Sequence, residues 1–135
     1  METLGKIGIK KLNHLIKKYN ISLIILFGSQ IKESRGINSD IDIGIYLKNL
    51  INDKEEFQLL TDLVNIFKND SLDVAILNYA SPLLLFEVAK KGKLIAERKK
   101  GDFLKFKIMA FKKYWETRKF RALRETFLNN IISRN

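Results

Sequence analysis

The chain has 135 residues and a formal net charge of +10, with 46% hydrophobic and 30% charged residues. This length and composition fit one folded domain spanning residues 1–135, and no apolar run approaches the roughly 20 residues of a membrane span. The absence of cysteine excludes disulfides, thiolate nucleophiles and cysteine-based zinc sites. Because the N-terminus lacks the apolar block of a signal peptide, we expect a cytoplasmic protein.

The positive charge is concentrated at the end of the chain. Residues 98–135 hold twelve basic and three acidic residues, a net charge of +9, whereas residues 1–97 contribute only +1. We therefore separate a core over about 1–97 from a basic C-terminal segment over about 98–135. Such an asymmetry indicates an acidic partner for this segment, either nucleic acid or protein.

The first third of the chain predicts one helix and two strands. Helical spacing of Leu12, Leu15, Ile16 and Tyr19 predicts a helix over 3–19. His14 lies among lysines on this helix and is predicted to be exposed rather than catalytic. Five consecutive apolar residues, 23–27, predict a strand over 22–27 that is buried on both faces. Alternation over 40–47 predicts a second strand, with aspartates on one face and isoleucines on the other.

The remaining elements alternate between helices and short strands. Asn52 or Asp53 can cap a helix that reaches about Lys68. Its predicted core stripe is Phe57, Leu60, Leu63, Val64 and Phe67. A strand over 72–77 follows, then a helix that begins at Ser81-Pro82 and ends at Gly92, and a short strand over 94–96.

The C-terminal segment predicts a long helix over 102–132 with interleaved aromatic and basic residues. Its predicted apolar stripe is Phe103, Phe106, Met109, Ala110, Tyr114, Phe120, Leu123 and Phe127. Basic residues among aromatics fit nucleic-acid contact, docking onto a partner, or a self-packed helix with a solvated back. Together these elements predict an α/β (α+β) fold, a small mixed sheet flanked by helices.

Two carboxylates on the second strand form the first candidate site. Asp40 and Asp42 lie two residues apart on one face, which places their Cα atoms roughly 6.6 Å apart. Two like charges this close repel each other unless a cation lies between them, and carboxylate oxygens suit Mg²⁺. A surface hairpin with two solvated aspartates is the alternative.

A phosphate cradle is predicted directly after the first strand. Gly28 allows a sharp turn and close approach of a ligand, and Ser29 can cap a following helix. Free N–H groups at such a turn attract phosphate. A cradle beside metal-binding carboxylates predicts metal-assisted phosphoryl or nucleotidyl transfer.

The pattern Gly28-Ser29, ten residues, Asp40-Ile41-Asp42 resembles the signature of the DNA polymerase β-like nucleotidyltransferases. The chain length and residues 81–95 further resemble the minimal nucleotidyltransferases, the antitoxins of HEPN/MNT toxin–antitoxin pairs. The resemblance covers about residues 20–97 and continues more loosely to the end. It implies ATP over Gly28 and Ser29, and a carboxylate triad of Asp40, Asp42 and Asp73 that holds two Mg²⁺ ions.

The loop between the two signature halves departs from the family pattern. Lys32 fills the position of a basic residue near the triphosphate, but Glu33 stands where glycine is usual and Arg35-Gly36 follows. Either Lys32 or Arg35 could therefore reach the phosphates, or both could be solvated charges. Ser39 directly before Asp40 matches the usual Ser-Asp-x-Asp form. Asp73 is an isolated acid in an apolar run, so we expect a cation or donor near it. An aspartate on an edge strand that faces water is the alternative.

The resemblance implies transfer of AMP from ATP to a hydroxyl, namely a tyrosine of a cognate HEPN ribonuclease toxin. A non-catalytic antitoxin that acts by binding is one alternative. A nucleotidyltransferase acting on RNA or on a small molecule is another, and nucleic acid is the less favoured partner. No sequence feature indicates a membrane partner.

Overall fold

The computed structural model describes residues 5–27, 41–68 and 71–133, and it shows a four-stranded sheet with helices on both faces. In chain order the elements are α1 (Gly5–Tyr19), β1 (Ile21–Phe27), β2 (Ile41–Leu47), α2 (Asp53–Phe67), β3 (Leu72–Ile76), a 3-10 turn (Leu77–Tyr79), α3 (Pro82–Lys91), β4 (Lys93–Glu97) and α4 (Asp102–Ser133). The predicted α/β fold with a long C-terminal helix is confirmed. Among the described helices, none combines the length and apolar character that crossing a bilayer requires.

The strands lie in the order β3-β2-β1-β4. β1 pairs antiparallel with β2 and β4, whereas β2 and β3 are parallel. This difference follows from the connections, because parallel neighbours need a crossover and α2 provides it. The sheet is therefore mixed, as predicted, and β3 and β4 form its two edges.

One core layer lies between the sheet and helices α1 and α2. Leu12, Leu15, Ile16 and Tyr19 of α1 are buried there, as their spacing predicted. Leu23, Ile24 and Ile25 of β1 have no exposed surface. β1 is thus buried on both faces because helices cover each side of a central strand.

The predicted apolar stripe of α2 is partly wrong. Phe57 is 70% exposed, whereas Leu59, which was outside the predicted stripe, is fully buried with Leu63. The apolar residues of α2 cover a wide arc, and the approach of α2 to α1 and β3 selects the arc around Leu59 and Leu63. The predicted cap is confirmed, because Asn52 Oδ1 accepts a hydrogen bond from the Glu55 N–H at 2.8 Å.

The second core layer lies between the opposite sheet face and helices α3 and α4. Ser81 Oγ accepts from the Leu84 N–H at 3.2 Å, which confirms the predicted start of α3. Tyr46 of β2 meets Phe106 of α4 edge to face, with ring centroids 5.2 Å apart. The polar-looking face of β2 is therefore covered at its C-terminal end.

Helix α4 packs on the domain over its first half only. Phe106 and Ala110 are buried, and Tyr114 stacks on Phe86 of α3 with ring centroids 4.0 Å apart. Beyond this point the predicted stripe leaves the core, since Phe120 is 77% exposed and Phe127 is 64% exposed. The expectation of one continuous packed stripe along α4 is therefore met only as far as Tyr114.

Hydrogen bonds at the start of α4 fix its direction. The Phe103 N–H donates to Glu97 Oε2 at 3.0 Å, and Ser22 Oγ donates to Asp102 Oδ2 at 3.4 Å. Glu97 and Ser22 lie on β4 and β1, so the helix begins against two strands of the sheet. This anchoring lets the distal half of α4 project from the domain.

The side chain of Asn78 extends the pairing of β2 beyond the end of β3. Asn78 Nδ2 donates to the Leu47 carbonyl at 2.9 Å, and Asn78 Oδ1 accepts from the Leu47 N–H at 2.8 Å. We expect Asn78→Ala to lower the free energy of unfolding by about 2 kcal/mol, because it leaves two partly buried backbone groups without this partner. Urea unfolding at constant m-value measures this change.

Asn13→Ala on the exposed surface of α1 is the matched control for Asn78→Ala. We expect the control to keep the wild-type midpoint or to raise it slightly, because alanine favours a helix. Equal midpoints for both variants would show that the Asn78 pair contributes nothing to stability.

Candidate active site

The parallel pairing of β2 and β3 brings together two of the predicted site residues. Asp42 is the register partner of Asp73. Neighbouring strands lie about 4.8 Å apart, and register partners present their side chains on the same face of a sheet. Asp42 is half-buried and Asp73 is exposed. The two carboxylates therefore form an adjacent pair that a ligand can approach from solvent.

This pair lies at the end of the sheet where β1 stops. Phe27, the last residue of β1, is the register partner of Asp42 on the other side. β1 therefore ends, and β2 begins, at the end of the sheet that carries Asp42 and Asp73. Of the predicted site residues, Gly28, Ser29, Lys32, Ser39 and Asp40 lie outside the described residues.

The predicted reason for a partner at Asp73, burial of its carboxylate, is wrong. An isolated acid in an apolar run predicts a buried carboxylate. Because β3 is an edge strand, Asp73 is exposed, so its carboxylate has no burial cost to offset. Its alignment with Asp42, rather than any burial, makes Asp73 a candidate site residue.

Two residues that sequence reasoning missed hold β2 and β3 in place near the carboxylates. Gly44 lies next to Asp42 on the same face, and a Cβ at this position would lie 3.0 Å from Leu77 Cδ1. Glycine therefore lets the turn after β3 pack closely on β2. Asn78 completes this attachment through Leu47. The sequence signal for Gly44 was a glycine inside a predicted strand. Asn78 gave no signal, because it lies in the turn after β3, where asparagine is common.

The donor set fits a hard divalent cation. Carboxylate oxygens are preferred ligands of Mg²⁺, and an adjacent pair favours a bound cation because it relieves charge repulsion. Among the described residues, no three His, Cys, Asp or Glu side chains cluster as a complete metal site would need. Asp40 precedes Ile41 directly but lies outside those residues, so the described part supplies two of the three predicted ligands.

The predicted exposure of His14 is confirmed, and the residue is remote from the carboxylate pair. His14 lies on α1, which packs on one face of the sheet, whereas Asp42 shares its face with Tyr46 and the α3–α4 layer. The sheet separates the imidazole from the carboxylates.

Comparison with known proteins places this arrangement among nucleotidyltransferases. The family model described as "Polymerase beta, Nucleotidyltransferase" matches residues 10–101. A relative named protein adenylyltransferase MntA, from Aphanizomenon flos-aquae (strain 2012/KM1/D3), is 27% identical over 143 residues. The match covers 98% of this chain and 94% of the relative.

Solved structures share the fold over nearly the whole chain. A chain from a toxin–antitoxin crystal structure with AMP-PNP has a TM-score of 0.68 and 24% identity, and the match covers 92% of this chain and 98% of that chain. A chain from a complex of tri-AMPylated Shewanella oneidensis HEPN toxin with MNT antitoxin has a TM-score of 0.64 and 22% identity, over 94% and 98% of the two chains. At these identities the structural likeness concerns the fold.

Proposed function

This chain belongs to the polymerase beta nucleotidyltransferase family, and we propose that it is a protein adenylyltransferase that transfers AMP from ATP to a tyrosine hydroxyl of a HEPN toxin. The observation that carries the proposal is the alignment of Asp42 with Asp73 at the end of the sheet where β1 stops. The near full-length match to a protein adenylyltransferase supports the choice of AMP and of a protein acceptor.

Asp42 and Asp73, together with Asp40, would hold Mg²⁺ in this reaction. When bound, the metal neutralises phosphate charge and lowers the pKa of a coordinated hydroxyl. The exposure of Asp73 makes its carboxylate accessible from solvent. Gly28, Ser29, Lys32 and Ser39 are proposed to bind the ATP.

The proposed transfer forms one bond and breaks another at the α-phosphorus of ATP. The acceptor hydroxyl oxygen attacks in line, and the bond to the β-phosphate oxygen breaks, so that pyrophosphate leaves with its electron pair. The hydroxyl proton passes to the Asp73 carboxylate and then to solvent. The protein mainly positions the two substrates and balances charge, which is the larger part of catalysis in such reactions.

The acceptor is proposed to dock on the distal half of α4. Phe120, Leu123 and Phe127 are each at least 64% exposed, an unusual arrangement for large apolar residues spaced along one helix. Arg118, Lys119, Arg121 and Arg124 surround them, which favours a partner with acidic groups around an apolar surface. We place the complex in the cytoplasm, where ATP is available.

Transfer from labelled ATP tests the proposal directly. With Mg²⁺ and lysate of the source cells, α-labelled ATP is expected to label one protein band, whereas γ-labelled ATP is expected to leave this band unlabelled. The second nucleotide is the control, because a kinase would transfer the γ label instead. Mass spectrometry of the band should find AMP on tyrosine.

Other outcomes of this experiment would contradict the proposal. Label on RNA would support a nucleotidyltransferase that acts on RNA ends, an interpretation that the basic surface of α4 also allows. If the folded protein labels no band but still binds a purified toxin, the result would support an antitoxin that acts by binding alone.

A further inference from the structure

We propose that the groove between α1 and α2 is a second binding site, separate from the carboxylate pair, for a nucleotide unit that carries phosphate. The α1–α2 groove has a volume of about 430 Å³, within the range of small-molecule sites. Its rim includes Lys10, Lys11 and Lys18, and its floor includes Leu15 and Ile66, with Asn65 beside them. This inference does not depend on the function proposed above.

The rim of the α1–α2 groove is positively charged. The sequence of α1 holds five lysines and no acidic residue. Asp62 is the one carboxylate among the described lining residues, and it is already engaged, since Lys18 Nζ lies 3.3 Å from Asp62 Oδ2. The Tyr19 hydroxyl donates to the same oxygen at 2.7 Å. Within the described part of the chain no ion pair engages the exposed Lys10 or Lys11, so their charges remain available to an anion.

The protonation states of these groups support the same charge balance. The hydrogen bond to Asp62 raises the pKa of Lys18 above its ordinary value, so Lys18 stays cationic at neutral pH. Burial raises the pKa of Tyr19, which keeps this phenol neutral and able to donate to Asp62. An anion entering the groove meets no uncompensated carboxylate among the described lining residues.

The floor of the groove favours a ligand with an apolar ring as well as a negative charge. Ile66 is half-buried and Leu15 is 3% exposed, so the apolar surface that the floor presents to a flat ring comes mainly from Ile66. Asn65 and His14 carry hydrogen-bonding groups at its border. A purely inorganic anion would leave the apolar floor unused, and a lipid chain would not use Asn65. A ring joined to phosphate uses both.

The position of the groove excludes the reacting ATP as its occupant. The α1–α2 groove lies on the sheet face covered by α1 and α2, whereas Asp42 and Asp73 share the face of the α3–α4 layer. A nucleotide in the groove thus has the sheet between it and the carboxylates. The same chemistry could come from a free nucleotide or from a unit of an RNA chain.

Binding of two fluorescent probes to the full chain distinguishes these sources. The probes are mant-ATP and a short labelled single-stranded RNA, measured by anisotropy in EDTA so that metal-dependent binding at the carboxylates is suppressed. We expect Lys10→Glu/Lys11→Glu to lower the affinity for the probe that binds by at least about tenfold, since two attractive charges become repulsive. Lys48→Glu/Lys54→Glu, two exposed lysines outside the groove, is the matched control and should bind as wild type.

A steric variant tests the groove without changing charge. Asn65→Trp is expected to fill the groove and weaken the same probe, while circular dichroism confirms that both groove variants keep the wild-type fold. Weaker binding of RNA by the groove variants would assign the site to RNA, and weaker binding of mant-ATP by these variants would assign it to a free nucleotide. Equal affinities of wild type, groove variants and control, or no binding of either probe to wild type, would overturn the inference.

Discussion

Replacing Asp73 by asparagine is expected to lower the rate of AMP transfer at least about a hundredfold, because the amide keeps the shape of the side chain but removes its charge. Asp42→Asn should have an effect of similar size, since Asp42 and Asp73 are register partners on neighbouring strands. Single-turnover transfer from α-labelled ATP to the purified toxin measures the chemical step apart from product release.

Asp73→Asn is the more informative of these two variants. Asp73 lies exposed on an edge strand, where a water-facing aspartate without any function would also be found. Asp53→Asn, at an exposed position in the first turn of α2, is the matched control and should transfer AMP at the wild-type rate. Wild-type transfer by Asp73→Asn would remove Asp73 from the site and leave Asp40 and Asp42 as its only carboxylates.

Toxin binding separates a catalytic role of Asp73 from a structural one. If Asp73 only stabilised β3, its loss would lower the unfolding midpoint and weaken the toxin complex along with the rate. We expect instead that the midpoint and the toxin affinity stay unchanged while the rate falls. A lower unfolding midpoint and a weaker toxin affinity together with the lower rate would indicate that the variant perturbs the fold.

Local signals in the sequence were sufficient for most of the elements. Ser81-Pro82 marks the start of α3 and Gly92 its end, because cap and proline chemistry act within one helical turn. The run ending at Phe27 indicated a central strand because a strand covered on both faces has no polar side. Such features depend only on residues that are close along the chain, so they can be predicted from a single sequence.

The alignment of Asp42 with Asp73 depends on more distant contacts. The helix between β2 and β3 predicts that the two strands are parallel neighbours, but a one-residue change of register would turn one carboxylate to the other face. The register is fixed by Leu77 against Gly44 and by Asn78 on Leu47, which no local pattern predicts. Asp73 was therefore predicted as a site residue from the resemblance to a family.

The burial of the apolar residues on α4 likewise could not be predicted from helical periodicity. Phe106 and Phe120 belong to the same predicted stripe, yet one is 3% and the other 77% exposed. The difference arises because Glu97 and Asp102 fix the start of the helix, and α3 is too short to cover more than its first half. Periodicity shows which residues share a face but does not show what covers it.

Phe120→Glu/Phe127→Glu is expected to weaken toxin binding at least about a hundredfold, because apolar anchors at the centre of an interface carry most of its binding energy. Their exposure, 77% and 64%, means that the free protein should keep its unfolding midpoint. Isothermal titration calorimetry with the purified toxin measures the affinity, and thermal unfolding of the free variant tests the fold.

Phe57→Glu is the matched control for this double variant, because Phe57 is equally large and 70% exposed but lies on α2. It should bind toxin with wild-type affinity. If AMP transfer requires docking on α4, the double variant should lose kcat/KM for the toxin in proportion to its affinity. Wild-type affinity of the double variant would exclude the distal half of α4 from the interface. Transfer that persists without measurable docking would mean that the carboxylate pair recognises its acceptor by itself.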